Sequence, residues 1–166
     1  MRTIDRIKRY WLLLRTFLIR SGYRRAAFLR RKRCFASQGE DCYFQVWNFG
    51  TEPEMISFGD NVYVSSGVRF VTHDITAQMF RRMDGDPSYE NRRGPLTIGS
   101  NVFIGANSTL LYDVAIGDNV IIGAGSVVNR DIPAGSVAAG VPCRVIGSVW
   151  DYKERITGRR GNGAEP

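Results

Sequence analysis

The chain has a single histidine, His73, within the run Val71-Thr72-His73-Asp74. A neutral imidazole, with an unperturbed pKa of ~6.5, is well matched to taking a proton from a hydroxyl near neutral pH. Being alone, it leaves no other imidazole for that work and rules out a metal centre built on three histidines. Such a base is oriented by an acceptor on its other ring nitrogen. Asp74, Glu52 and Glu54 are the candidates, although neighbouring side chains in extended backbone point apart, which counts against Asp74. Four arginines, Arg81, Arg82, Arg92 and Arg93, follow the histidine. They suit either an anionic acceptor or simple solvation of an exposed segment. Cys34, Cys42 and Cys143 form no Cys-x-x-Cys pair and are odd in number, so they indicate neither a zinc site nor a disulfide framework. A reduced, cytoplasmic setting fits.

A repeat must position these groups. From Phe58 the chain can be written in sixes: Phe58–Tyr63, Val64–Arg69, and then, after a gap, Ile98–Phe103, Ile104–Thr109, Leu110–Ala115, Ile116–Ile121 and Ile122–Val127. The first place of each six is aliphatic or aromatic, the second is often Gly, and the fifth is Val or a small residue. Neither a helix nor a simple strand demands a period of six. A triangular coil does, because three short strands with a tight corner after each make a turn of 18 residues. Places one and five then point inward. Gly-Asp-Asn at 59–61 and 117–119 and Gly-Ser-Asn at 99–101 supply corners that tolerate positive φ. The alternative is an antiparallel sandwich. Its strands recur irregularly at roughly 8–12 residues, whereas the phase here holds from Ile98 through Ser126. The repeat breaks between Phe70 and Ile98. Asp74 to Pro95 reads as a loop extruded from one corner, and it begins beside His73.

The net charge of +7 is unevenly spread. Residues 1–33 hold 12 Lys/Arg and one acid, for +11, and residues 34–166 hold 11 Lys/Arg and 15 acids, for −4. The repeat domain is therefore not basic, and no nucleic-acid surface is expected. Within the basic segment Ile4, Ile7, Trp11, Leu14 and Leu18 share one helical face. Arg15 splits the apolar stretch, which is about half the ~20 residues a membrane span needs. No small-residue cleavage site follows. Two roles are open: an interfacial helix on an anionic membrane, or a helix that docks its apolar face on the end of the coil.

The stretch Ile116–Ile146, IGDNVIIGAGSVVNRDIPAGSVAAGVPCRVI, closely resembles the end of the galactoside and maltose O-acetyltransferases. Phe70–Arg82, FVTHDITAQMFRR, resembles acetyltransferases of capsule, exopolysaccharide and lipopolysaccharide sugars. The resemblance, to the hexapeptide-repeat acyltransferases, covers about 55–147. It implies an all-β, left-handed parallel β-helix over 39–147; outside it, 1–38 reads as a basic amphipathic helical segment and 148–166 as a short helix and tail. It also implies a homotrimer with sites between subunits, acetyl-CoA as co-substrate, no metal, and His73 as the base. The family's coenzyme A groove, carried over by position, falls on Ala106, Ala124, Asn129, Arg130 and Arg144. Ala124 lies in an identical Gly-Ala-Gly-Ser and Arg144 in an identical Pro-Cys-Arg-Val-Ile. The family more often has Ser at the Ala106 place, Thr-Lys at Asn129-Arg130 and a second basic residue at Gly147, so Arg144 and Arg130 are left to hold the phosphates. Cys143 is a packing residue in the family, which argues against a cysteine nucleophile.

The function expected is O-acetyl transfer to a sugar hydroxyl of a polysaccharide precursor or glycoside, in the cytoplasm or peripherally at the inner membrane face. The alternatives are an amino-sugar or amino-acid hydroxyl acceptor, or a non-catalytic scaffold. A metal-dependent carbonic anhydrase on the same prism is excluded by the single histidine.

Overall fold

The computed structural model of the protein describes residues 3–158, with side chains from residue 10 onward. The side chains of Ile4 and Ile7, and the tail 159–166, lie outside the described residues. The chain winds through three sheets in turn. One holds β1 (Ser37–Gln38), β3 (Ile56–Phe58), β6 (Leu96–Ile98) and β9 (Val114–Ile116). The second holds β2 (Tyr43–Phe44), β4 (Tyr63–Val64), β7 (Val102–Ile104), β10 (Val120–Ile122) and β12 (Ser136–Ala139). To its end is added β13 (Arg144–Ser148). The third holds β5 (Arg69–Phe70), β8 (Thr109–Leu110) and β11 (Val127–Val128). Every pairing between named strands is parallel except β12 with β13.

Register gives the length of each coil. Ile98 pairs with Ile116, an offset of 18, as the period of six requires. Phe58 pairs with Ile98, an offset of 40, and the excess of 22 is the length of segment 74–95. The insertion thus leaves and re-enters at one corner without disturbing phase. Tyr43 pairs with Tyr63, an offset of 20, so the first coil has two residues more than the regular 18.

Places one and five of the sixes do face inward. Phe58, Val62, Val64, Val68, Ile98, Val102, Ile104, Leu110, Val114, Ile116, Val120 and Ile122 are all buried. Two inward places are serines. Ser108 and Ser126 are buried, and both donate to the Gly123 carbonyl, at 3.1 and 2.6 Å, which removes the cost of an unpaired hydroxyl. At the wide first coils Phe35, Phe44, Phe49, Phe58 and Phe70 form one aromatic cluster with neighbouring centroids as close as 4.8 Å.

The positive φ expected at these corners falls on one residue of each. The left-handed residues are the third of each set, Asn61, Asn101 and Asn119, with φ near +56°. They form a ladder: the Asn61 amide donates to Asn101 at 2.8 Å, and Asn101 to Asn119 at 3.0 Å. The glycine of the corner is needed for close approach instead. A Cβ on Gly105 would lie 2.8 Å from the Ala124 Cα and from the Gly123 carbonyl carbon, both in the coil above.

Helices close the two ends. The basic segment folds as two helices, α1 (Thr3–Leu18) and α2 (Gly22–Arg31), separated by Ser21, whose side chain caps α2. Ala26, Phe28 and Leu29 of α2 join the core, while Leu12 and Ile19 pack against it. Arg25 is buried and spends its guanidinium on backbone carbonyls. It donates to Phe44 and Gln45 at 2.7 Å each, to Thr16 at 3.0 Å, and to Ile19. Burial lowers its pKa, opposed by Tyr43. At the other end β13 turns back antiparallel on β12 and leads into α4 (Val149–Thr157), capped by Ser148.

Gly105→Ala is expected to destabilise the fold by about 1–3 kcal/mol, the usual cost of forcing atoms into a packed site. Gly147→Ala, with open space at its Cβ, should stay within about 0.5 kcal/mol of the parent. Urea unfolding of both variants checks this, and equal midpoints would refute the close-approach account.

Candidate active site

Segment 74–95 leaves the coil on a short two-stranded neck. His73 and Arg93 form an antiparallel bridge. The Gly94 amide donates to the Thr72 carbonyl, and the Asp74 amide to the Arg92 carbonyl, both at 2.9 Å. His73 therefore has a backbone fixed on both sides. Beneath it lies the two-residue surplus of the first coil. That surplus sits between β2 and β3, where Glu52 precedes a 3₁₀ turn at Pro53–Met55.

Glu52 gathers the site. Its Oε2 is 2.9 Å from His73 Nδ1 and accepts from the Thr72 hydroxyl at 2.8 Å. Its Oε1 accepts from Arg93 at 3.3 Å. Of the three candidate orienting groups, the structure selects this one. Glu54 is exposed two residues further on. Asp74 faces elsewhere, accepting from Tyr112 at 2.6 Å and from the Thr76 hydroxyl and amide. With Nδ1–H donated to the carboxylate, Nε2 is the nitrogen left to receive a proton. The His73 side chain is 35% exposed and that of Glu52 20%, so the imidazole meets solvent while the carboxylate beside it is shielded. Burial alone would raise the Glu52 carboxyl. The hydrogen bonds from Thr72 and His73, and the charges of His73 and Arg93, outweigh it and hold the carboxyl below its ordinary value.

The extruded segment is not all loop. Thr76–Asp84 is a helix, α3, closed by Gly85 in the left-handed region. Arg81 braces the returning limb of the segment through the Tyr89 carbonyl at 2.6 Å, and Tyr89 in turn donates to Asp84. Arg93 belongs to the histidine site, and Arg92 lies close enough to Asp74 and Tyr112 to influence both. Arg82 lines an open groove with Ile75, Met79 and Met83.

The thiols are unsuited to attack. Burial pushes Cys34, Cys42 and Cys143 up, and Cys42 and Cys143 are enclosed in the core. Among the described residues no group of three or more His, Cys, Asp or Glu could hold a metal ion.

Comparison with known proteins places this geometry. The family described as "Bacterial transferase hexapeptide (six repeats)" matches residues 95–130. Protein CapG of Staphylococcus aureus is 43% identical over 121 residues, covering 71% of this chain and 69% of that protein. The chain belongs to the hexapeptide-repeat acetyltransferase family. The galactoside O-acetyltransferase of Escherichia coli is 43% identical over 96 residues, 58% of this chain and 45% of that protein. A solved galactoside acetyltransferase in complex with coenzyme A superposes with a TM-score of 0.65 at 27% identity, covering 97% of this chain and 88% of that one.

The residues carried over from the family for coenzyme A do not form one cluster in a single chain. Ala106 and Ala124 stack at successive corners between the second and third sheets, joined by the Gly125 amide to the Ala106 carbonyl at 2.8 Å. Arg144 continues that column, since it pairs with Ala139, which lies over Gly123. Asn129 and Arg130 follow β11 on the other edge of the third sheet. That is also the edge where His73 follows β5, two coils below. Ala124, Asn129, Arg130 and Arg144 are exposed and Ala106 is half-buried. Thr72 and Tyr112 were not anticipated as parts of the site, and Arg93 was read only as suiting an anionic acceptor or solvation, not as a partner of Glu52. Their signal was the register: an offset of 20 from Thr72 leads to Glu52, and the corner Gly39-Glu40-Asp41 echoes Gly59-Asp60-Asn61 at that same offset.

The lowered Glu52 carboxyl carries a pH dependence of defined sign. Its folded value lies below its unfolded one, so the unfolded chain binds more protons in the acid range. The stabilisation is full above the ordinary carboxylate value and is lost as pH falls through the folded one. The stability difference between the parent and Glu52→Gln should therefore grow as pH rises through the carboxylate range and then level off below neutrality. Melting temperatures of both proteins across that range test this, and a constant difference would refute it.

Proposed function

We propose that this protein transfers an acetyl group from acetyl-CoA to a sugar hydroxyl, with His73 as general base and Glu52 as its positioning residue. The observation that carries the reading is the 2.9 Å contact between Glu52 and His73 Nδ1, which leaves Nε2 directed to a substrate. Nε2 takes the proton of the attacking hydroxyl as its oxygen bonds to the acetyl carbon. The carbon–sulfur bond breaks, and the proton passes from the imidazolium to the departing sulfur. Backbone N–H groups at a corner can stabilise the developing oxyanion. The negative Glu52 stabilises the imidazolium formed on the way.

The relatives support the class of reaction and of acceptor: one is named for galactoside O-acetylation, and another was solved with coenzyme A. The coil is left-handed in this reading, as in the family. Arg144 and Arg130 hold the phosphates of the coenzyme, with Ala106, Ala124 and Asn129 along its path. The column of Ala106, Ala124 and Arg144 stands across the third sheet from the His73 edge. A complete site therefore joins His73 of one subunit to the groove of a neighbour, in a homotrimer.

His73→Ala and His73→Asn are expected to lower turnover by ~10²–10⁴-fold. Affinity for coenzyme A should be retained. The assay is acetyl-CoA consumption against a panel of glycosides, amino sugars and serine. Near-parental rates in a folded variant would remove the assigned role, and turnover confined to amines or serine would remove the sugar hydroxyl.

Arg144→Ala separates binding from chemistry. A phosphate contact far from the reacting carbon acts equally on ground and transition states, so KM for acetyl-CoA should rise while kcat changes little. A fall in kcat at unchanged KM would place Arg144 elsewhere.

A further inference from the structure

We infer that the outward face of α1 docks on an anionic lipid surface. Of the two roles open to the basic segment, the packing of α1 gives each its own side, because the helix has two such faces. Leu12 and Thr16 turn toward the rest of the protein: Thr16 is buried, and Leu12 packs on the core. On the opposite side, at ~100° per residue, Tyr10, Trp11, Leu14, Phe17 and Leu18 fall within an arc of ~120°. They are 64, 63, 49, 57 and 66% exposed. Trp47 meets Phe17 edge-on at 5.4 Å and extends the patch onto the first coil. Large side chains grouped in this way on a solvent face need an occupant.

Charge selects the occupant. From Tyr10 to Arg33 the chain has eight Arg/Lys and no acid. Two of these are committed, Arg25 to backbone carbonyls and Arg30 to Glu40. Arg15, Arg20, Arg24, Arg31, Lys32 and Arg33 are exposed, with the Arg15 and Arg31 guanidiniums over the Phe28 ring at 5.9 and 6.0 Å. A second copy meeting this face with its own would bring the same cations together. A nucleic acid would match the cations and leave the aromatic and leucine side chains in water. A membrane rich in acidic lipids satisfies both, with the apolar arc entering the headgroup boundary and the cations facing phosphates. Trp11 and Tyr10 are the side chains that favour that boundary. No described helix is long and apolar enough to cross a membrane, so α1 lies along the surface. This inference is independent of the acetyl-transfer reading.

Flotation of the full chain with vesicles tests it, using phosphatidylcholine alone and phosphatidylcholine mixed with phosphatidylglycerol. The protein should float with the mixed vesicles, poorly with the neutral ones, and less at high salt. Leu14→Asp/Leu18→Asp should cut the bound fraction by about tenfold or more, from the apolar area withdrawn. Its melting temperature and acetyl-CoA turnover should be unchanged, because both residues are exposed and distant in sequence from the histidine site. Arg20→Gln/Arg24→Gln, which leaves the apolar arc intact, should weaken binding to the mixed vesicles alone. Equal flotation with both vesicle types would overturn the inference, as would parental binding by both variants. A lower molecular mass of the leucine variant by light scattering, with no change in flotation, would assign the face to a second copy.

Discussion

Each coil stacks on the next at the parallel-sheet spacing of ~4.8 Å, and that contact leaves no room for a side chain at the inner bend of several corners. A Cβ on Gly105 would run into backbone of the coil above, as would one on Gly59 or Gly99 at the Gly-Asp-Asn and Gly-Ser-Asn corners. The glycines fix how near the coils come, and the left-handed asparagines turn the chain and tie each corner to the next. A period of 18 follows, and with it the position of every functional group. Val71, Leu111 and Asn129 follow paired strands, so the histidine edge and the edge of later coils form one continuous line.

The geometry around His73 comes from two departures from that period. The first coil has two residues too many, and the surplus places Glu52 under Thr72 and His73. The second departure is the 22-residue excursion, whose neck pins His73 against Arg93 and brings Arg93 back to the same carboxylate. A regular repeat has identical corners. A corner unlike the others has to arise where the repeat fails, and both failures meet at one glutamate.

The sequence was most readable where many residues repeat one rule. From Phe58 to Ser126 the inward places could be named one by one, because burial on a narrow coil tolerates few residue types, and a lone histidine beside the break stood out. The first coil was less readable. Its surplus residues and Trp47-Asn48 obscure the phase, so Glu52 could only be ranked with Asp74 and Glu54. The helix α3 was overlooked for a different reason. Ala77, Gln78, Met79, Arg81 and Arg82 all favour helix, and Gly85 is a good stop, but the segment reads as irregular when tested only for strand character. The return of β13 on β12 had no local signature, since its exposed Val145 and Ile146 carry no alternation. That the basic segment forms two helices turns on Arg25, whose carbonyl partners are distant in sequence.

Arg25 has a wider consequence. A parallel stack is open-ended, because its first strand offers carbonyls to any strand that arrives, including that of another molecule. By filling the Phe44 and Gln45 carbonyls with a guanidinium and covering them with α2, the chain makes its own terminus unable to template growth. At the far end β13 reverses direction and bulges opposite Val137 and Ala138, so the last edge no longer continues the parallel lattice. The repeat could in principle run on as a filament, and these two closures keep it a particle of fixed length.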